Sequence, residues 1–235
     1  MTPKKLTLAI TAILSSTNLA HAEDAAPFTA NIGVVSNYMW RGVTQTQDGP
    51  AIQGGVDYAD PSGFSLGTWA SNVDFGDGPD LPNYELDIYA GYGQEFGDFG
   101  FNLATGYYAY PDGKNFDMWD VTPSISWNFL TIGTAYTLYG QAEGDAAFRE
   151  GDWYYYGNAA FDLPVNFKLG GTVGYYDFDD LGGKGDYTHW QISLSKSADD
   201  FGTFSLNYDQ NDGGDSDIVA TDDDPKVSIG WKKTF

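Results

Sequence analysis

The run Val227-Ser228-Ile229-Gly230-Trp231-Lys232-Lys233-Thr234-Phe235 decides the fold class. Val227, Ile229 and Trp231 alternate with small or polar residues, and a period of two is typical of a strand with one apolar and one polar face. The run stops on an aromatic residue, whereas chain ends usually fray unless something ties them down. Barrels that close within lipid commonly end on such a strand, because no strand edge can stay unpaired there. The run therefore predicts the closing strand of a transmembrane β-barrel.

The first 22 residues have the pattern of a secretory signal peptide. Lys4 and Lys5 supply a positive start, residues 6–19 form an apolar stretch too short to cross a bilayer, and Ala20-His21-Ala22 fits a cleavage site. We therefore expect a cleaved signal peptide at 1–22. No linker or change of composition divides the remainder, so a single barrel domain is expected at 23–235.

The composition of the chain narrows the classes of function. The full sequence has 11 basic and 33 acidic residues. Removal of Lys4 and Lys5 leaves 9 against 33, a net charge of −24 that disfavours binding to nucleic acid. Cysteine is absent, which excludes disulfides, thiol nucleophiles and thiolate metal sites. The 30 glycines and 17% aromatic residues favour many short, twisted strands.

Period-two alternation predicts twelve strands along the chain. In the fourth of them Tyr84, Leu86 and Ile88 alternate with Glu85 and Asp87. The third and seventh alternate less cleanly, so their facing is left open. The twelve predicted strands are 28–41, 51–59, 64–73, 84–96, 99–110, 117–128, 131–140, 153–162, 166–177, 187–197, 202–209 and 225–235.

The connections between these strands alternate in length. The five short turns are at 60–63, 97–98, 128–130, 162–164 and 198–200. The six long connections are at 42–50, 74–83, 111–116, 141–152, 178–186 and 210–224. A β-sandwich has a similar strand spacing but no such regular alternation. The pattern predicts an all-β, antiparallel, up-and-down barrel of about twelve strands, with short periplasmic turns and long acidic extracellular loops.

The placement of aromatic residues favours a membrane barrel over a water-soluble one. A water-soluble barrel places its apolar face inside, whereas membrane interfaces select aromatic rings at both ends of the strands. Near the short turns lie Tyr58, Phe64, Phe96, Phe99, Trp127, Phe129, Phe161, Phe167, Phe201, Phe204 and Phe235. Near the long loops lie Tyr38, Trp40, Tyr84, Tyr107, Trp119, Trp153, Tyr155, Tyr175 and Tyr208. We expect these two rings to mark the two membrane interfaces.

The opening of the mature chain resembles a known family. Ser36-Asn37-Tyr38-Met39-Trp40-Arg41-Gly42 and then 50–58, PAIQGGVDY, are similar to the start of the TorF-type porins, a conserved hypothetical family of proteobacterial outer-membrane proteins. Further matches are 69–76, 85–92 and 107–111, so the resemblance runs through essentially the whole mature chain. It implies an outer-membrane barrel that forms a pore, and it implies neither a substrate nor catalytic residues.

Charged residues fall on the polar faces of the predicted strands, which would line the lumen. Two interpretations stay open: the charges pair and help plug the barrel, or they form a transverse field that filters small polar solutes. The candidates for the pore lining are Arg41, Asp57, Glu85, Asp87, Asp120, Lys168, His189, Asp209 and Lys226, with Lys232 on the same face.

An enzyme is not expected. Serine hydrolysis almost always needs a histidine base, and His189 is the only histidine left after removal of the signal peptide. It shares a face with polar residues and would lie in the lumen, away from lipid. Phosphate-loop, dinucleotide and zinc-spaced motifs are absent from the sequence, so no cofactor is expected.

The long loops are rich in aspartate, which suits calcium or magnesium. The tract that starts at Asp177 lacks the glutamate that closes an EF-hand loop, since Thr188 stands there. A solvated acidic rim and weak divalent binding that bridges the loops to lipopolysaccharide both remain open. The weak divalent candidates are Asp177, Asp179, Asp180, Asp222, Asp223 and Asp224.

The sequence thus predicts a narrow outer-membrane pore for passive diffusion of ions or small polar solutes, with modest cation preference from its acidic mouth. The expected partners are outer-membrane lipid and lipopolysaccharide, and the assembly machinery of the outer membrane through Phe235. A non-conducting structural or adhesion barrel and a ligand-binding barrel are the alternatives.

Overall fold

The computed structural model describes residues 27–143, 146–179, 185–213 and 223–235. Twelve antiparallel strands close into a barrel, and two short strands, β2 and β3, form a separate hairpin. The predicted signal peptide at 1–22 lies outside the described residues. The strands are β1 Phe28–Val35, β2 Met39–Trp40, β3 Val43–Thr44, β4 Ala51–Ala59, β5 Phe64–Asn72, β6 Tyr84–Phe96, β7 Phe99–Ala109, β8 Met118–Trp127, β9 Leu130–Gly140, β10 Trp153–Leu163, β11 Phe167–Asp177, β12 Tyr187–Ser197, β13 Thr203–Asn211 and β14 Lys226–Thr234.

The barrel closes between its first and last strands. Asn31 of β1 lies opposite Thr234 of β14, and the pairing continues to Val35 opposite Gly230. Every other strand of the barrel pairs with its neighbour in the chain, β1 with β4 included. The predicted twelve-stranded, antiparallel, up-and-down barrel is therefore confirmed, and the C-terminal run is its closing strand.

The connections alternate in length, as predicted. The short ones are 60–63, 97–98, 128–129, 164–166 and 198–202, the last with a single 3₁₀ turn at Asp199–Phe201. The long ones are 36–50, 73–83, 110–117, 141–152, 178–186 and 212–225. The two ends of the barrel are named after them: the turn end and the loop end.

The outer face of the barrel is apolar, the reverse of a water-soluble protein. Ile52 of β4 is 65% exposed and Ile88 of β6 is 60% exposed, and similar side chains cover the middle of most strands. Aromatic side chains are exposed on the outer face at both ends, among them Phe96 and Phe99 at the turn end and Trp119 at the loop end. This distribution is the one expected of a lipid-facing belt with aromatic girdles. No helix among the described residues is long and apolar enough to cross a membrane.

The prediction of a first strand over 28–41 is wrong at its C-terminal end. β1 stops at Val35, and residues 36–50 turn into the lumen. Their hairpin, β2–β3, turns through Arg41 and Gly42, both with positive φ (46° and 82°), the pattern of a tight two-residue hairpin turn. The alternation of Tyr38 and Trp40 misled the prediction because β2 is itself extended.

Polar side chains hold the base of this inward segment together. The Thr44 hydroxyl donates to Asn37 Oδ1 over 2.7 Å, and the backbone N–H of Tyr38 donates to Thr46 Oγ1 over 3.1 Å. The backbone N–H of Gly49 donates to the carbonyl of Thr46 over 2.7 Å. The last two bonds satisfy backbone N–H groups that lie outside the barrel ladder, whereas Ser36 still donates its backbone N–H to the carbonyl of Ile229 in β14.

Candidate functional site

The inward segment 36–50, called the plug below, packs inside the barrel at the loop end. Its aromatic side chains are buried against lumen-facing residues of the wall. The main buried apolar cluster of the protein therefore lies inside the lumen, and its members are Tyr38, Trp40, Val43, Ala51, Val73, Tyr108, Met118, Ala135, Ala147, Tyr154, Tyr176, Phe178 and Tyr187. Tyr38 and Trp40, which the sequence placed in the loop-end membrane girdle, are in fact 2% and 6% exposed within it.

The side chain of Arg41 lies at the centre of this cluster. One guanidinium nitrogen contacts Asp120 Oδ2 at 2.7 Å, and another donates to the Tyr176 hydroxyl over 3.0 Å. The guanidinium carbon lies 4.3 Å from the ring centroid of Trp40, 4.6 Å from that of Tyr154 and 5.5 Å from that of Tyr176. The arginine is thus held by one carboxylate and three aromatic rings, which together are called the arginine cage.

A distortion of the sheet lies beside Asp120. The register between β8 and β9 shifts at Trp119/Asp120, where Asp120 pairs with Thr137. The Thr137 hydroxyl donates to Asp120 Oδ1 over 2.9 Å, so both carboxylate oxygens have partners. The extra residue lies on β9, since Trp119 pairs with Tyr139 and Asp120 with Thr137, and Asp120 keeps the regular inward phase of β8. Since Asp120 is 0% exposed, this full satisfaction is what a buried ion pair requires.

The plug contacts the barrel wall almost all the way round. Besides joining β1 to β4, it touches nine other strands through rings, hydrogen bonds or ion pairs. The wall residues involved are Trp69 on β5, Glu85 on β6, Tyr108 on β7, Asp120 on β8, Tyr154 on β10, Tyr176 on β11, Tyr187 on β12, Asn211 on β13 and Lys226 on β14. The plug therefore fills the loop end of the lumen rather than lining one side of it.

The turn of the plug fits closely against β12 and β13. The carbonyl of Gly42 accepts a hydrogen bond from the Asn211 side chain over 2.9 Å, and that of Arg41 accepts one from the Tyr187 hydroxyl over 2.9 Å. A β-carbon at Gly42 would overlap the His189 side chain. His189 Nε2 lies 2.8 Å from the Tyr154 hydroxyl of the cage. This position therefore needs glycine both for its positive φ and for space.

Three further carboxyl groups face the lumen at the loop end. Glu85, Asp87 and Asp209 are 1%, 6% and 2% exposed. Tyr38 donates to Glu85 over 3.3 Å and Gln191 donates to Asp209 over 2.6 Å. Asp87 Oδ1 and Asp209 Oδ2 find no hydrogen-bond partner among the described residues. No ion pair within the described part of the chain includes any of the three carboxyls. The loop end of the lumen, called the chamber below, therefore holds several acidic groups without a basic partner in an ion pair.

The turn end of the lumen carries more small residues than the loop end. Five glycines face a serine on the adjacent strand: Gly91–Ser65, Gly100–Ser126, Gly133–Ser124, Gly170–Ser193 and Gly230–Ser205. Several polar side chains at this level, among them Ser126 and Asn207, are only partly buried. Short side chains leave more of the bore unfilled than the aromatic residues of the loop end.

The predicted pore-lining residues divide between these two levels. Six gather around or beside the plug: Arg41, Glu85, Asp87, Asp120, His189 and Asp209. Lys226 lies at the rim and pairs with Asp48 of the plug at 2.8 Å. Asp57 accepts from Tyr89 and Asn31 nearer the turn end, where Lys168 pairs with Asp162 at 3.3 Å and Lys232 lies opposite Gly33. Their part in conduction stays a prediction.

The sequence reasoning missed the aromatic wall of the loop end. Tyr154 stands at an inward position of β10, between outward Trp153 and Tyr155. A run of aromatic residues on both faces of one strand is the signal that the lumen is filled at that level. Trp69 on β5 also faces inward, where its ring centroid lies 5.5 Å from that of Tyr38.

The β9–β10 connection covers the plug from the loop end. Phe148 packs against Trp40 and Tyr176, with ring centroids 5.5 Å and 5.4 Å apart. In the same connection Asp152 accepts the backbone N–H of Arg149 over 2.7 Å. Burial raises the pKa of Asp152 to about 6.

The divalent candidates do not gather into a site within the described residues. No group of three or more histidine or carboxylate side chains there is placed to hold a metal ion. Asp179, Asp223 and Asp224 are exposed at the loop end. Asp180 and Asp222 lie outside the described residues.

The sequence profile of the Gcw_chp family, described as a bacterial protein of unknown function, matches residues 20–235. The chain belongs to this family. No curated protein matches it. This Gcw_chp protein is thus a twelve-stranded barrel whose lumen holds a plug from its own first long connection.

Solved porin structures share the fold of this Gcw_chp protein. The KdgM porin aligns with a TM-score of 0.58 at 10% identity, over 88% of this chain and 98% of that one. The NanC porin aligns with a TM-score of 0.56 at 11% identity, over the same shares of both chains. The KdgM porin in complex with disordered oligogalacturonate aligns at 0.55 and 9% identity, again over 88% and 98%. At sequence identities this low, the similarity shows a shared fold.

Proposed function

We propose that the protein is a narrow channel of the bacterial outer membrane, for ions or small polar solutes, whose loop end is closed by the plug until the plug is displaced. One observation carries this proposal: an apolar outer belt surrounds a polar lumen that is lined by small residues at one end and filled by a held segment at the other. A structural barrel needs no such lumen. The fold shared with KdgM and NanC and the resemblance to TorF-type porins support a channel.

Charge favours cations as the solutes. Four buried carboxyl groups, Glu85, Asp87, Asp120 and Asp209, lie at the loop end of the lumen, and Arg41 neutralises Asp120. An acidic lumen concentrates cations and repels anions. An acidic oligosaccharide such as the oligogalacturonate in the KdgM structure is therefore a poor candidate here. We infer a modest preference for cations that weakens at high salt, because screening shortens the reach of these charges.

Location and partners follow from the same proposal. The apolar belt suits outer-membrane lipid, and the acidic loops suit contact with lipopolysaccharide through divalent cations. Phe235, at the end of the closing strand, is the signal we propose for the outer-membrane assembly machinery. A predicted signal peptide at 1–22 accounts for export.

Planar-bilayer recordings of residues 23–235 under a potassium chloride gradient test the proposal. We expect discrete current steps and a reversal potential on the cation side that moves toward zero as salt is raised at a fixed gradient ratio. A barrel that is folded and inserted, yet passes no current under any voltage, would contradict it. That result would favour a non-conducting structural or adhesion barrel, which the filled loop end also suits.

A further inference from the structure

The arginine cage is built from two separable parts. Asp120, Tyr154 and Tyr176 belong to the barrel wall, on β8, β10 and β11. Arg41 and Trp40 belong to the plug, whose tip contacts the barrel through side chains of the wall. The backbone bonds of the plug to Ile229 and Asp74 lie away from this tip, at Ser36 and Gln45. When the plug leaves its place, the wall keeps a carboxylate and two tyrosines, and the cation that filled the space between them is removed.

The chemistry of this wall matches a particular class of ligand. A planar cation gains from aromatic faces within about 6 Å, and the gain grows when water is excluded. A carboxylate adds charge-assisted hydrogen bonds, which are strongest and most directional with a guanidinium group. The Tyr176 hydroxyl accepts one further N–H of Arg41 in the present arrangement. The wall therefore recognises the end group of an arginine side chain, and a free molecule with the same end group presents the same donors.

The surroundings add selectivity for cations. Glu85, Asp87 and Asp209 are buried carboxyls at the loop end of the lumen, and they take part in no ion pair within the described residues. Departure of Arg41 would leave these three and Asp120 in the chamber with no arginine among them. A small organic cation could then replace the lost charge, whereas an anion would be repelled.

We propose that the wall of the arginine cage, formed by Asp120, Tyr154 and Tyr176, is a binding site for small organic cations with a guanidinium or ammonium group, and that Arg41 is its built-in competitor. Binding of such a cation opposes the return of the plug, so the ligand itself favours the unplugged state. The inference rests on the proposed function for the displacement of the plug. Binding to the cage needs no current.

The test uses the folded barrel in detergent and guanidinium chloride as the probe, at millimolar concentrations and constant ionic strength. Arg41→Met removes the internal cation and keeps an apolar stem in its place. Titration calorimetry should show one saturable guanidinium site in Arg41→Met, bound about tenfold or more tightly than in the wild-type protein, where Arg41 competes. The double variant Arg41→Met/Asp120→Asn should lose this binding by about tenfold or more. Potassium at the same concentration should give no saturable heat.

A matched control separates the cage from general acidity of the lumen. Asp57 is another lumen carboxylate, which accepts from Tyr89 and Asn31 away from the plug. Arg41→Met/Asp57→Asn should bind guanidinium as Arg41→Met does. The proposal would be overturned if Asp57→Asn and Asp120→Asn weakened guanidinium binding equally in the Arg41→Met protein. It would also be overturned if Arg41→Met and the wild-type protein bound guanidinium with equal affinity.

A second measurement covers the case in which Arg41→Met does not fold. Ala135 is 2% exposed and lies directly opposite Tyr154 in register. In an Ala135→Cys protein with Arg41 intact, 20 mM guanidinium should speed thiol labelling about threefold or more over potassium, because it displaces the plug. Equal rates in the two salts would overturn the proposal. Binding without any bilayer current would refute the channel and keep the site, and current without binding would do the reverse.

Discussion

The two ends of the lumen use the same barrel in opposite ways. At the loop end, inward positions carry large aromatic or acidic side chains, and Tyr108, Asp120 and Tyr176 are at most 2% exposed. At the turn end, several inward positions carry glycine or serine, as in Gly100 opposite Ser126, beside longer polar side chains such as Lys168. A twelve-stranded barrel is too wide for its own wall to fill with small side chains, but its first connection fills one end of it. Closure therefore comes from an added segment rather than from the barrel.

The largest difference between the two ends should be the contribution of their ion pairs to the free energy of unfolding. Arg41–Asp120 is a buried pair, with side chains 7% and 0% exposed, whereas Lys168–Asp162 at the turn end is 21% and 51% exposed. Arg41→Ala leaves an uncompensated buried carboxylate and should lower the free energy of unfolding by about 3–5 kcal/mol. Lys168→Ala should lower it by less than about 1 kcal/mol.

Urea unfolding of the refolded barrel, followed by tryptophan fluorescence, measures both changes. Arg41→Met/Asp120→Asn, which removes both charges, should recover part of the loss. Equal costs for Arg41→Ala and Lys168→Ala would show that the loop end is as wet as the turn end.

The second largest difference between the two ends should be the access of solvent to inward-facing side chains. The chain has no cysteine, so single cysteines report one position each. Ala135→Cys at the loop end should react with a membrane-impermeant thiol reagent about 100-fold more slowly than Ser126→Cys at the turn end. This ratio corresponds to a local opening free energy of about 2.7 kcal/mol. Similar rates at the two positions would remove the distinction between a filled and an accessible end.

The fit of the plug turn gives a third comparison. Gly42→Ala places a β-carbon against His189 at a φ of 82° and should weaken seating of the plug by about 2–3 kcal/mol. At the turn end, a β-carbon at Gly170 would meet only the Ser193 hydroxyl, which can rotate away. In the Ala135→Cys background, Gly42→Ala should raise the labelling rate about 30-fold or more. Gly170→Ala should leave that rate unchanged, and a larger effect at Gly170 would reverse the comparison.

The smallest effect concerns pH at the loop end. The pKa of Asp152 is raised to about 6 in the folded protein by burial, so the folded state binds this proton more tightly than the unfolded state. The resulting stabilisation is complete at low pH and is lost as the pH rises through 6. Between pH 4 and pH 7 the wild-type protein should therefore lose about 1–2 kcal/mol more than Asp152→Asn. Parallel pH profiles for the two proteins would show that the connection over the plug is open to water.

Most of the barrel could be predicted from sequence because its signals are local. Each strand carries its own alternation, and the lengths of the connections fix the direction of successive strands. The exception is instructive: Tyr38 and Trp40 keep the alternation beyond Val35, yet both belong to the plug rather than to β1. A continued β1 and a separate inward hairpin have the same alternation. They differ only in the inward turn of the chain, which is set by contacts with residues far along the sequence.

The candidate site was less accessible to sequence reasoning. Arg41 and Asp120 were both placed in the lumen, but their pairing depends on the inward turn of residues 36–50, which brings Arg41 to β8. The pairing interpretation describes Arg41–Asp120, Lys168–Asp162 and Lys226–Asp48, and the filtering interpretation stays a prediction for the other charges. Aromatic residues at inward positions, such as Tyr154, are the clearest sign in the sequence that the lumen is filled at this level. They were overlooked because the alternation of a membrane barrel strand predicts polar side chains at inward positions.

Removal of the plug tests most directly whether it closes the lumen. Val35 and Ala51 are paired at the loop end of β1 and β4, so a four-residue turn can replace residues 36–50 and keep the pairing of these two strands. We expect the shortened protein to give frequent current steps in planar bilayers, larger than the rare or small steps of the wild-type protein under the same voltage and salt. Identical conductance in the two proteins, both shown to be folded and inserted, would contradict closure by the plug.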